Sequence, residues 1–239
     1  MTDIDIKKTR PKATHSTLRK LPLARLCYRL LRRFTNHFSR GNLQSFATDQ
    51  RSRFAGKVLS IGAGGELGKL VQQGNCLSID IEPERTPDIV ADAHHLDDLF
   101  QEGEFEAVFL IEVLEHVHDP AVVLKQIRHV LQPGGTLVMS VPFVFELHDA
   151  PHDYWRFTEF GLRHLLSDFH NVQISRRNGF IKSTCSPALR LVYSAKGIDC
   201  FIGMIFVSIC FLLYPVIALL DHAIASEAST SGFNVMATR

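Results

Sequence analysis

Gly62, Gly64 and Gly68 stand in the run VLSIGAGGELG, and Asp80 closes the next apolar run, CLSID, 18 residues after Gly62. A strand, a tight glycine turn and a helix bring backbone N–H groups and the positive end of a helix against the charged part of a ligand. An acid at the tip of the following strand can accept from both hydroxyls of a ribose. Together these residues predict a nucleoside-cofactor site on a doubly wound sheet. A second group with proton-transfer chemistry follows in Pro151-His152-Asp153-Tyr154-Trp155-Arg156-Phe157-Thr158, with His148 just ahead of it. Histidine is the side chain best matched to base chemistry near neutral pH.

Placing such residues requires alternating strands and helices. Strands are predicted at 57–61, 76–80, 107–111, 136–141, 171–175 and 233–237, and helices near 66–73, 119–131 and 158–168. Alternation of this kind calls for a mostly parallel sheet covered on both faces. Thr158 is the expected N-cap of its helix, with Glu159 favourable in the first turn. Pro133-Gly134-Gly135 is expected to serve only as the turn between helix and strand.

The 239 residues suffice for one ordinary domain with appendages. A net charge of +1 hides an asymmetry: residues 1–50 hold eleven Lys/Arg against three acids, the remainder fifteen against twenty-two. This split predicts a basic arm meeting an anionic surface, joined to a mildly acidic body. The five cysteines (27, 76, 185, 200 and 210) form no CxxC pair and no metal-ligand spacing, so reduced thiols and no metal are expected. No secretory signal pattern opens the chain.

Residues 1–16 read as an unstructured polar segment. From Leu21 onward, Leu23, Leu26, Cys27, Leu30, Leu31, Phe34 and Phe38 recur at helical spacing, with Arg25, Arg29, Arg32 and Arg33 between them. That is a basic amphipathic helix, which either packs its apolar stripe on the domain or lies on anionic lipid. Near the other end, Cys200–Leu220 is a run of 21 residues without a charge. As one helix it would extend about 31 Å, close to the hydrocarbon thickness of a bilayer. Pro215 and Gly203 offer breaks that would convert a single span into a re-entrant or surface-lying pair. The expected division is therefore an arm at 1–50, a body at 51–197 plus 222–239, and a membrane-associated segment at 198–221.

Five blocks in order, VLSIGAGGELG, SIDIEP, DIVADAHHL, FEAVFLIEVLEHVHDP and LQPGGTLVMSVP, resemble the class I methyltransferases that use S-adenosylmethionine, in particular the group with a Val-Leu-Glu-His signature. The resemblance covers about residues 54–180. It implies an α/β, doubly wound, mostly parallel seven-stranded sheet, with its last strand inserted antiparallel beside strand six. It also implies that Gly62 and Gly64 approach the cofactor's amino-acid portion and that Asp80 holds the ribose. Ile81 would lie beside the adenine, Asp92 and the Ala93 backbone would read the adenine amino group, and Glu112 would border the methyl group. Glu115 and His116 are expected to open the next helix as structural residues. Two positions depart from the family pattern: Ser60 stands where an acid is usual, and Glu66 where a third close glycine is common.

The loop at 151–158 resembles a segment of methyltransferases from bacterial cell-surface polysaccharide and lipid gene clusters. The implied reaction is O-methylation of a lipid-linked glycan or other membrane-associated metabolite at the cytoplasmic face of a membrane. His152 is the expected base, with Tyr154 and Arg156 orienting the acceptor and His148 as the alternative base. The competing reading makes Trp155 and Phe157 packing anchors and pairs Arg156 with Asp153. A nicotinamide-dependent reductase also fits the glycine spacing, but the chain lacks a Tyr-x-x-x-Lys pair. A cofactor-binding regulatory protein without turnover is the other alternative. Nucleic acid is not an expected partner, because the basic segment interleaves leucine rather than stacking aromatics.

Overall fold

The computed structural model describes residues 22–62, 64–193, 197–224 and 226–239, with side chains from Arg29 onward and without that of Glu66. The segment at 1–16 lies outside the described residues. Seven strands form one sheet: β1 (Val58–Ile61), β2 (Cys76–Asp80), β3 (Ile89–Val90), β4 (Phe105–Ile111), β5 (Leu131–Pro142), β6 (His170–Arg176) and β7 (Gly232–Thr238). Their order is β3-β2-β1-β4-β5-β7-β6, with β7 antiparallel to both neighbours. Reversal of strand order at β1 and β4 opens a crevice beyond the strands' carboxyl ends, where ligands bind in open α/β sheets.

The two-residue period of β4 builds both cores. Ala107, Phe109 and Ile111 join Val58, Leu67, Val71 and Val138 on one face, whereas Val108 and Leu110 join Leu59, Ile79, Val123 and Leu137 on the other. The helices are α1 (Pro22–Arg40), α2 (Leu43–Arg51), α3 (Gly65–Val71), α4 (Pro120–Val130), α5 (Glu159–Leu165), α6 (Phe180–Arg190), α7 (Gly197–Leu212) and α8 (Tyr214–Ala223). As anticipated, Thr158 caps α5 by accepting from the Gly161 amide at 3.1 Å.

The structure differs from expectation in several places. β3 is only two residues long, too short to leave a pattern. α2 falls inside the segment read as an arm, yet it packs Leu43 and Ala47 against the sheet. Arg51 at its end is buried and donates to the Val71 carbonyl at 2.9 Å. β5 starts at Leu131 and runs through Pro133-Gly134-Gly135, the extra residues taken up as a register shift against β4.

The apolar run is not one helix. Among the described residues no single helix is long and apolar enough to cross a membrane; α7 and α8 satisfy length and composition only as a pair bent by 73°. A single straight span, one of the two arrangements the sequence left open, does not form among the described residues. The break falls at Leu213, ahead of Pro215 in the first turn of α8. Gly203, the other expected break, instead lies inside α7, where an added Cβ would come within 2.3 Å of the Val192 amide nitrogen. Since β7 returns into the middle of the sheet, the hairpin leaves and re-enters the same body.

The hairpin rests on α6 and α1. Val207 and Cys210 of α7 pack with Phe38, Leu189 and Val192, and Phe34, Tyr214 and Ile217 close around them. Thus Leu31, Phe34 and Phe38 of α1 face the protein, whereas Arg29, Leu30 and Arg33 are exposed.

Candidate functional site

The glycine turn is shaped by two close approaches. Gly62 has φ +87°, a region that costs a side chain dearly, and an ideal Cβ there would strike Val113. Gly64 precedes α3, and a Cβ on it would fall within 2.3 Å of the Arg85 side chain. Beside the turn, buried Asp80 accepts from the Gly64 amide at 3.3 Å and from the Glu82 amide at 3.0 Å. The carboxylate is thereby fixed at the strand tip. Arg85, partly exposed, reaches within 3.9 Å of it. Ile81, next in sequence, leaves 65% of its surface exposed, an apolar side chain beside the crevice.

Asp92 ends the short connection after β3. Its carboxylate accepts from the His94 amide at 2.9 Å and meets His94 Nδ1 at 2.6 Å. Burial works against the ionised form, but the His94 contacts prevail and hold Asp92 below the usual carboxylate range. Ala93 beside it is buried. Ser60, the departure in β1, is buried within the strand; the question raised by Glu66 lies outside the described side chains.

Glu112 follows β4 with φ +55°, a strained conformation for a non-glycine residue. Its amide donates to the Ser140 carbonyl at 3.0 Å, and its carboxylate accepts from Arg177 Nη2. Burial would raise its pKa; the charge of Arg177, then that of Arg40, overrides this and keeps it ionised.

Glu115 lies in a short turn, Leu114–His116, and is fully buried with neither carboxylate oxygen hydrogen-bonded. The imidazole nitrogens His116 Nε2 and His148 Nε2 lie 3.7 and 3.8 Å from it. Burial pushes the Glu115 pKa up, and the charge of Glu112 adds to this. It was expected to be a structural helix opener, yet it is a bare carboxylate aimed at two imidazoles. Among the described residues, Glu115, His116 and His148 bring ligand atoms within 4.8 Å of one another, a spacing that accommodates a divalent ion. No CxxC or HxxxH spacing announced it, because a long loop delivers His148.

That loop, 143–157, covers the group from above. His148 Nδ1 lies 3.3 Å from Asp153, whose carboxylate also accepts from the His148 amide at 2.9 Å. Arg156 grips Asp153 with two bonds of 2.6 and 2.7 Å, pulling its pKa down to about 2 against the opposing effect of burial. A further bond runs from Arg156 to the Glu146 carbonyl. Arg156 therefore organises the loop, as in the competing reading. Trp155 donates to the Val117 carbonyl and stacks on Phe157 at 6.3 Å. His152 and Tyr154 are placed on the exposed side, with His152 Nδ1 2.8 Å from the Tyr154 hydroxyl and His118 Nε2 3.2 Å from it.

The arrangement joins a fixed acid and a glycine turn, suited to a nucleoside with an amino-acid tail, to a histidine beside two carboxylates. A family model described as a methyltransferase domain matches residues 24–181. A curated relative, the ubiquinone biosynthesis O-methyltransferase of Pseudomonas aeruginosa (strain LESB58), is 33% identical over 109 residues, covering 38% of this chain and 47% of that protein. The chain thus spans about half the length of that relative. The fold is shared with an S-adenosylmethionine-dependent methyltransferase from Archaeoglobus fulgidus (TM-score 0.52, 15% identity, 90% and 94% of the two chains). It is shared equally with the [4+2]-cyclase SpnF (TM-score 0.53, 15% identity, 80% and 79%), so architecture alone does not define the reaction. With the signature blocks in place on that architecture and the family model spanning more than half its length, the chain belongs to the S-adenosylmethionine-dependent methyltransferase family.

Proposed function

We propose that the chain methylates a hydroxyl on a membrane-associated acceptor, a lipid-linked glycan or an intermediate of the kind its relatives' names place in ubiquinone biosynthesis. The observation carrying this reading is the junction between the apolar hairpin and the loop over the site. Arg190, at the end of α6 beneath the hairpin, donates to Glu146 of that loop, and its guanidinium lies 4.2 Å above the Phe145 ring. An acceptor leaving a bilayer at the hairpin would meet the site one layer away.

S-adenosylmethionine, when bound, supplies the electrophilic methyl group. Gly62, Gly64, Asp80, Ile81, Asp92, Ala93 and Glu112 would hold it. His148 removes the hydroxyl proton, and Glu115 and Asp153 stabilise the imidazolium that forms. Geometry favours His148 over His152, which stands on the exposed side. Although burial opposes its charge, Glu115 and Asp153 raise the His148 pKa above 6.5. The base form is then lost as pH falls, so kcat/KM should decline on the acid side with an apparent pKa above 6.5. His148→Gln is expected to lower turnover by roughly two to three orders of magnitude and flatten that limb, whereas His152→Ala leaves both nearly unchanged. Full turnover in His148→Gln would remove the assignment.

A second reading is favoured by the bare carboxylate of Glu115: a divalent ion held by Glu115, His116 and His148, which would acidify the acceptor hydroxyl. Chelator-treated protein decides between them, since a histidine base keeps its turnover and an ion site loses it.

Membrane attachment is monotopic in this reading. α7 is apolar all round, burying Cys200, Gly203, Val207 and Cys210 on the body while exposing Phe201, Ile205, Ile209 and Leu212. Such a helix without a protein neighbour on its outer side suits lipid. Exposed Arg29 and Arg33 add attraction to anionic headgroups. The full chain should float with anionic vesicles on a density gradient, and Leu212→Asp with Leu219→Asp should remain at the bottom. Wild-type protein that stays at the bottom would refute attachment.

A further inference from the structure

Both contacts that fix the Asp92 carboxylate fall on one oxygen. Oδ1 accepts from the His94 amide at 2.9 Å and from His94 Nδ1 at 2.6 Å. Among the described residues Oδ2 takes no hydrogen bond, and 42% of the Asp92 side chain stays exposed. The amide contact caps the short turn Ala93–Asp98, and any residue at position 94 could make it. The second contact needs the imidazole.

The other ring nitrogen sets the tautomer. His94 Nε2 lies 3.3 Å from the Asp119 amide, a group that can only donate. Nε2 therefore accepts, and the ring proton stands on Nδ1, facing Asp92. Asp119 is itself held as the N-cap of α4, its carboxylate accepting from the amides of Ala121 and Val122 at 3.1 and 3.2 Å. Below the ring, Leu96 of the turn packs with Val123 and Ile127 of α4 in the core. His94 thus braces Asp92 against a rigid helix start. An exposed carboxylate would otherwise turn about its own torsions; with two donors on Oδ1, Oδ2 is the oxygen left for a third.

We infer that His94 is a positioning residue for cofactor recognition: its imidazole locks Asp92 so that Oδ2 accepts from the adenine amino group. The inference deepens the cofactor reading above and rests on its placement of Asp92 at the adenine. A site built around such a bond rejects a base that lacks the donor, because its carboxylate is then left desolvated and unpaired. His94 acts through Asp92, so its effect should appear as selectivity for the amino group rather than as a general loss of affinity.

The test is calorimetric titration with S-adenosylhomocysteine and with its analogue carrying hydrogen in place of the adenine amino group. The wild-type chain should prefer the first by about tenfold or more. His94→Ala keeps the residue-94 amide, and with it the cap, but loses the imidazole. It should give up most of the preference at a melting temperature close to that of the wild type. His94→Asn, whose side-chain N–H can stand where Nδ1–H stood, should restore most of it. Asp92→Asn should abolish it, since its oxygen answers the His94 donors and an NH₂ turns toward the base. Adding His94→Ala to Asp92→Asn should then change nothing further. Three results overturn the inference while leaving Asp92 at the adenine, provided Asp92→Asn has lost the preference: His94→Ala retains it, His94→Ala weakens both ligands equally, or His94→Asn restores none of it. A wild-type chain without the preference, or a preference that survives Asp92→Asn, removes the adenine from Asp92, and the inference falls with that reading.

Discussion

Asp80→Asn is expected to weaken S-adenosylmethionine binding roughly one hundredfold while the melting temperature stays close to that of the wild type. The carboxylate sits at the end of β2, buried, with its two oxygens already oriented by the amides of Gly64 and Glu82. A ribose would add two hydroxyl donors to a charge that is pre-positioned, and hydrogen bonds to a charged group contribute about 1.5–3 kcal/mol each. Asparagine retains one oxygen, which can keep an amide contact and preserve the turn, but it carries no charge and presents an NH₂ toward one hydroxyl. A net loss of about 3 kcal/mol is two orders of magnitude in affinity. Calorimetric titration measures it directly; affinity within about threefold of wild type would mean that the ribose lies elsewhere.

What could be read before any coordinates were known follows from how far apart in the chain each device is assembled. The glycine turn, Asp80 and Asp92 each sit at a strand end inside one short block. Local pattern therefore suffices for them, and six of the seven strands were legible on the same basis. β3 was not, because two residues carry no period. α6 was obscured by Pro187 and by an apolar face interrupted with Ser and Thr. The surroundings of Glu115 were not legible: a glutamate after Val113-Leu114 looks like an ordinary helix opener. Only the loop that brings His148 over it from 33 residues away reveals a buried, unpartnered carboxylate.

The arginines were invisible for a similar reason. Arg40 and Arg190 end α1 and α6, and Arg177 follows β6; nothing in their local sequence distinguishes them from solvated residues at helix or strand ends. Their convergence depends on β7 entering between β5 and β6, which places the segment after β6 next to the tip of β4. The apolar run illustrates the converse. Its length alone suggests a membrane span, yet topology forbids a single crossing, since α6 precedes it and β7 follows it in one body.

Glu112→Ala should destabilise the protein by about 3–5 kcal/mol, a large share of the stability of a domain this size. Arg177 has no exposed side-chain surface, and Glu112 is the carboxylate that faces it. Deleting that carboxylate leaves a buried guanidinium without compensation, which costs far more than the pair itself contributes. Replacing both members, as Glu112→Ala with Arg177→Met, should therefore recover most of the loss, because methionine fills similar apolar volume without a charge. The pH dependence has a definite sign. Arg177 and Arg40 hold the folded-state pKa of Glu112 below 4.5 despite burial, so its stabilising contribution is complete above that value and fades as pH falls through the lowered one. Glu112→Gln should consequently lose part of the wild-type protein's acid sensitivity. Urea unfolding of the two single variants and the double variant, at pH 7 and again near pH 4, measures the coupling. A Glu112→Ala protein within about 1 kcal/mol of wild type would show that Arg177 draws its compensation from elsewhere, and that the strained backbone at Glu112 serves the cofactor site rather than the fold.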